Sequence, residues 1–151
     1  MKNETVICFD MDGTIADLYG VDGWLDYLRA GDVYPYEVAE PLGSLAMLKQ
    51  ALAHVNNKGY HVCVISWGAM NGTNEYTRRV KATKVAWCKR YFGSLIQEYH
   101  VVKYGTPKHR VCKYERAILV DDNKEVRDAW SKGRTIDATN TIQMVRELME
   151  L

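Results

Sequence analysis

Four short runs that are apolar on both faces constrain the fold of this chain more than any other feature. They are Val6 to Phe9 (VICF), His61 to Ser66 (HVCVIS), Val101 to Tyr104 (VVKY) and Ala117 to Asp121 (AILVD). A strand with no polar face has to be covered on both sides, which is the pattern of a parallel sheet between helices. The stretches between these runs read as helical. In SLAMLKQALAHV, Leu45, Leu48, Leu52 and Val55 recur at helical spacing, and Asn57, Lys58 and Gly59 supply a C-terminal stop. Arg134 to Ala138 reads as a fifth strand, and Ile142 to Leu151 as a final helix with Ile142, Val145 and Met149 on one face. The expectation is an open, doubly wound α/β sheet, three layers thick with right-handed crossovers. The first strand should lie between those ending at Ser66 and Asp121.

The 151 residues, 47% hydrophobic and 26% charged, suit one domain with a real core, and no repeat, low-complexity segment or proline-rich linker divides them. Lys+Arg 20 against Asp+Glu 19 leaves a net charge of +1, so no whole-molecule field draws the chain to nucleic acid or a membrane. Cys8 and Cys63 sit inside apolar runs, where reduced thiols behave as small hydrophobes, and Cys88 and Cys112 are far from them in sequence. A reducing, cytoplasmic setting is expected, with neither a signal peptide nor a membrane span. The four histidines show no ligand spacing, so no zinc site is expected.

Against this apolar background the acids at the strand ends stand out. Asp10 and Asp12 close the first run just before Gly13, and side chains two apart on a strand share a face. The second run ends at Ser66 and the fourth at Asp121 and Asp122. Ligands of open α/β sheets bind at that C-terminal edge. Carboxylates crowded there need a cation between them, and an all-oxygen set suits a hard ion such as Mg²⁺, which tolerates substrate phosphate oxygens as further ligands. One Asp attacking phosphorus would give an aspartyl-phosphate, and a neighbouring acid could protonate the leaving alcohol and then activate water.

The DxDGT sequence at Asp10 to Thr14, the strand-end Ser66, a downstream lysine and the pair Asp121 and Asp122 resemble the four motifs of the haloacid dehalogenase superfamily. The resemblance implies a Rossmann-like catalytic domain over the whole chain and a Mg²⁺-dependent phosphatase. Asp10 would be the nucleophile and Asp12 the general acid/base, with the backbone carbonyl of Asp12 on the metal. Thr14 would brace the loop, and Ser66 with the backbone N–H groups of Trp67 and Gly68 would hold phosphoryl oxygens. Asp121 and Asp122 would complete the metal site, Asp122 as the favoured direct ligand. Lys108 in GTPKH is the preferred motif lysine and Lys103 the alternative. The second acid, Asp12, favours phosphate esters over halides, since a halide leaves without a proton.

Residues 19–43 leave room for a minimal cap at most, with a small helix from Trp24 to Leu28 and an aromatic loop carrying Tyr34 and Tyr36, while a helix is expected directly after the first strand. Residues 68–74 read as a second loop beside the site. Asp121 or Asp122 could also cap a helix running from Glu125 to Trp130. From Tyr76 to Gln97 there is no acid, yet Arg78, Arg79, Lys81, Lys84, Lys89 and Arg90 accompany Trp87 and Tyr91. A solvated face and core aromatics explain that stretch simply, although a basic helix with aromatics also suits phosphates and bases. It loosely resembles the deoxyribonucleotidases of the superfamily. The expected substrate is a phosphorylated small molecule such as a nucleotide. A nucleic-acid end, or a non-catalytic phospho-ligand or protein-binding role, is the alternative.

Overall fold

The structure, a computed structural model, describes residues 5–151. Five parallel strands form one sheet: β1 (Val6–Phe9), β2 (His61–Trp67), β3 (Glu98–Val102), β4 (Ile118–Asp121) and β5 (Thr135–Asp137), in the order β3-β2-β1-β4-β5. All four residues of β1 and of β4 are buried, as strands covered on both faces must be. Cys8 sits in register with Cys63 on one side and Leu119 on the other. The strand ends carrying Asp10, Ser66 and Asp121 therefore emerge side by side.

The two layers flanking the sheet differ in depth. On one face Ile7, Phe9, Val64 and Val120 pack against α3 (Leu45–Asn57), the end of α4 (Asn74–Phe92) and α7 (Thr141–Met149), through Leu52, Trp87 and Leu148 among others. Burying an aliphatic or aromatic side chain of this size contributes about 1.5–3 kcal/mol. The other face, with Cys8, Cys63, Ile65 and Leu119, is covered by the one-turn α5 (Lys108–Val111), the connection after it and the short α6 (Lys124–Ala129), with Cys112, Ala117 and Trp130. This second layer is thin beneath β2 and β3.

Three elements depart from the sequence reading. The edge strand β3 begins at Glu98 rather than Val101, because an edge strand with a thinly covered face keeps polar residues that break the apolar run. The helix expected directly after β1 is replaced by a turn. The Met11 carbonyl accepts from the N–H groups of Thr14, Ile15 and Ala16 in a tight turn made possible by Gly13 at φ +83°. The chain then runs extended, with Asp17 N–H donating to Glu40 O and Leu42 N–H to Ile15 O. These bonds clasp the two ends of an insert holding a 3₁₀ turn at Leu18–Gly20, α1 (Trp24–Arg29) and α2 (Tyr34–Val38). The residues read as an aromatic loop thus form a second short helix, with Pro35 in its first turn and Tyr36 buried.

Helix α4 fixes the insert to the sheet. Tyr76 Oη donates to Asp32 O at 2.8 Å, Arg79 to Gly31 O at 3.3 Å, the Trp87 indole to Ala39 O at 2.7 Å and Arg90 to Glu37 O at 3.0 Å. Trp87 is core, 2% exposed. Cations placed on carbonyls at the C-terminal ends of short helices complement the helix dipoles, so part of the basic face serves the fold.

Candidate active site

The first strand delivers Asp10 and Asp12 to a cavity of about 640 Å³ at the C-terminal edge of the sheet. Ser66, Trp67, Lys108, Asp121 and Asp122 line the same cavity. Lys108 enters from the start of α5, where its ammonium donates to Asp10 Oδ1 at 2.8 Å and to Asp121 Oδ2 at 2.8 Å. Lys103 is exposed and does not line the cavity. Thr14, fully buried, donates to Asp10 Oδ2 at 3.0 Å and lies 3.3 Å from Asp122 Oδ1. Both oxygens of Asp10 are therefore oriented.

These contacts set the charges. Burial would raise the Asp10 carboxyl, but the Lys108 ammonium and hydrogen bonds to the ionised form outweigh it and hold Asp10 below the usual carboxylate range. Burial also opposes the charge on Lys108, which Asp10 and Asp121 nevertheless keep above the ordinary lysine value. Burial and then the Asp10 charge push Asp121 up. Asp122 rises to about 7 through burial and its closeness to Asp10. One oxygen from each of Asp10, Asp121 and Asp122 lies within 4.8 Å of the other two, and this all-carboxylate set fits a hard divalent cation. The raised Asp122 fits as well, since a proton there relieves the repulsion that a cation would relieve.

Asp12 has a different partner. Lys84, 1% exposed, reaches from α4 and donates to Asp12 Oδ2 at 2.6 Å, Ser66 Oγ at 2.8 Å and the Trp67 carbonyl at 2.8 Å. All three of its N–H bonds are used. Burial nonetheless outweighs the Lys84 charge and raises the Asp12 carboxyl above its ordinary value. Reading Lys84 with the basic face missed this role. The signal was available, because Lys84 falls four residues after Val80 and four before Cys88, inside the buried stripe of α4.

Trp67 and Gly68 are held in the fold. The Trp67 indole donates to Thr106 O at 2.8 Å, and its ring lies 5.4 Å from the Lys108 ammonium. The Gly68 N–H donates to Val102 O at 2.7 Å, so the amide assigned to phosphoryl oxygens is already engaged with the end of β3. The cap of α6 is Asn123, whose side chain accepts from the N–H groups of Glu125 and Val126, and not Asp121 or Asp122. Asp121 instead accepts from Asn123 N–H at 2.9 Å, which leaves its other oxygen for Lys108. Aromatic side chains also line the cavity: Tyr19, Trp24 and Tyr36 from the insert and Tyr104 from the loop after β3.

No protein-family model matches the sequence, and no curated protein matches it. Solved structures do. D,D-heptose 1,7-bisphosphate phosphatase from Burkholderia thailandensis aligns over 93% of this chain and 97% of its own, at 12% identity and TM-score 0.55. An uncharacterized protein from Corynebacterium glutamicum ATCC 13032 aligns over 99% of this chain and 97% of its own, at 13% identity and TM-score 0.51. At such identities the likeness carries the fold. The chain shares its three-layer α/β fold with these two structures.

Proposed function

We propose that the protein is a Mg²⁺-dependent phosphomonoester hydrolase acting through an aspartyl-phosphate. One observation carries the reading: Asp10 is held ionised between Lys108 and Thr14 at the cavity floor, while Asp12, two residues on, is held by Lys84 with its carboxyl raised. One acid is set up to attack and the other to carry a proton. The shared fold with a sugar-phosphate phosphatase supports the same reaction class by analogy.

In this scheme an Asp10 oxygen attacks phosphorus, the bond to the leaving oxygen breaks, and Asp12 gives that oxygen its proton. Asp12 then takes a proton from water, whose oxygen attacks the phosphorus and frees Asp10 and inorganic phosphate. Ser66 Oγ accepts from Lys84, so its own hydroxyl hydrogen is free to point at a phosphoryl oxygen. Lys108 offsets charge on Asp10 and the phosphoryl group. Mg²⁺ bound by Asp10, Asp121 and Asp122 supplies the further positive charge that lets an anionic nucleophile meet an anionic ester.

The insert acts as a small cap, and a nucleoside monophosphate is the substrate class its wall suits. Tyr19, Trp24 and Tyr104 offer flat apolar surface for a base, and a cavity of about 640 Å³ lies within the usual range for such ligands. Phosphate release from nucleoside 5′- and 3′-monophosphates, sugar phosphates and 3′-phosphorylated oligonucleotides, with Mg²⁺ and with EDTA, tests this. Metal-dependent release lost in Asp10→Asn is expected, with nucleotides preferred. Release that survives in Asp10→Asn would remove the scheme, and preference for sugar phosphates would remove the nucleotide assignment.

A further inference from the structure

A second group of metal-ligating side chains lies on the thinly covered face of the sheet, beneath strands β2 and β3. His61 and Cys63 are two apart on β2, Glu98 and His100 two apart on β3, and Cys63 stands in register with Glu98. All four therefore project from one face. Glu98 is the centre: His61 Nε2 lies 3.1 Å from its Oε1, and His100 Nε2 2.6 Å and Cys63 Sγ 3.5 Å from its Oε2. One ligand atom from each of Cys63, Glu98 and His100 lies within 4.8 Å of the other two. We propose that Cys63, Glu98 and His100, with His61 as fourth ligand, form a structural Zn²⁺ site joining edge strand β3 to β2.

The donor chemistry selects the ion. A thiolate, imidazoles and one carboxylate suit borderline-soft Zn²⁺, whereas Mg²⁺ requires oxygen. Around tetrahedral zinc, neighbouring donor atoms lie roughly 3.3–3.6 Å apart. The Cys63 to Glu98 separation already matches, and the His100 to Glu98 contact has only to open through side-chain rotation. The backbone positions are fixed by the parallel ladder, so the site is preorganised. Access exists as well, because His61 and His100 keep 34% and 30% of their side chains exposed while Cys63 is buried. Tyr114 Oη donates to Glu98 Oε1 at 2.7 Å and would orient that ligand from outside. Binding converts the Cys63 thiol to thiolate and releases its proton to solvent.

Cobalt(II), a spectroscopic substitute for zinc, tests the site on the full chain. One equivalent should give a thiolate-to-cobalt charge-transfer band that Zn²⁺ abolishes, and the Asp10, Asp121 and Asp122 cluster has no sulfur to produce one. The band should vanish in Cys63→Ala and persist in Cys112→Ala. In chelator competition His100→Gln should weaken zinc by more than the roughly 10–100-fold that loss of an outer partner costs. Because His100 is partly exposed, that variant keeps the test open should Cys63→Ala fail to fold. Absence of the band from the unmodified chain, its survival in Cys63→Ala, or unchanged zinc affinity in His100→Gln would each overturn the proposal.

Discussion

Lys84 Nζ lies 2.6 Å from Asp12 Oδ2, joining the middle of α4 to a position 72 residues earlier. The same ammonium holds Ser66 and the Trp67 carbonyl, so one buried cation ties the ends of β1 and β2 to the helix. Breaking a buried pair strands the remaining charge and costs about 3–5 kcal/mol. Lys84→Met should lose stability on that scale in urea unfolding, whereas Lys81→Met on the exposed face should stay within about 0.5 kcal/mol. Equal effects would show that the pair does not hold the fold.

Replacing the proposed nucleophile should be decisive. Asp10→Asn keeps the shape of the side chain and removes its charge, and turnover should fall at least about 10³-fold. Asp12→Asn removes both the acid for the leaving oxygen and the base for water, so turnover of alkyl phosphates should stop, whereas with an aryl phosphate, whose phenolate leaves without a proton, phosphate should accumulate on Asp10 as a mass increase on the intact chain. No such adduct under rapid quench would count against the two-step route.

The acidic cluster should make the metal-free protein sensitive to pH. Asp122 in the folded chain titrates near 7, above its ordinary 3.8, so between those values the folded state binds more protons than the unfolded one. That contribution to stability is present at low pH and is lost as pH rises through 7. In EDTA, Tm should therefore fall between pH 5 and pH 8, and Asp122→Asn should flatten the slope. Protons and cation compete for the same oxygens, so below pH 7 Mg²⁺ affinity should weaken by up to about tenfold per unit.

Gly13 tests the turn that presents these acids. A Cβ there would stand 2.5 Å from Asp122 Oδ2, and φ of +83° disfavours any side chain. Gly13→Ala should cost about 1–3 kcal/mol and displace Asp122, reducing Mg²⁺ affinity measured by calorimetry. A variant with unchanged stability and affinity would contradict this close packing.

The sheet was legible because β1, β2 and β4 are buried on both faces and must be written in apolar residues. The edge strand β3 was legible only at Val101 and Val102, since Glu98 and His100 look outward through the thin layer. Asp10, Asp12, Ser66 and Asp121 could be placed together because the ends of adjacent parallel strands meet. Lys84 was hidden by its own chemistry: charge suggests solvent, and only its position in the buried stripe of α4 says otherwise. The Glu98 group was invisible to spacing rules because its members sit on two strands and meet only through the ladder.

The clasp between residues 15–17 and 40–42 has a consequence for how this chain can change. The two ends of the insert are bonded to each other, so the sheet meets the same boundary whatever lies between them. Closing a longer loop there would cost only about 0.6 kcal/mol for each doubling of its length. Lengthening the insert at its exposed turns, away from the carbonyls of Gly31, Asp32, Glu37 and Ala39 that α4 holds, can thus reshape the cavity wall without retuning the strand ends that carry the acids.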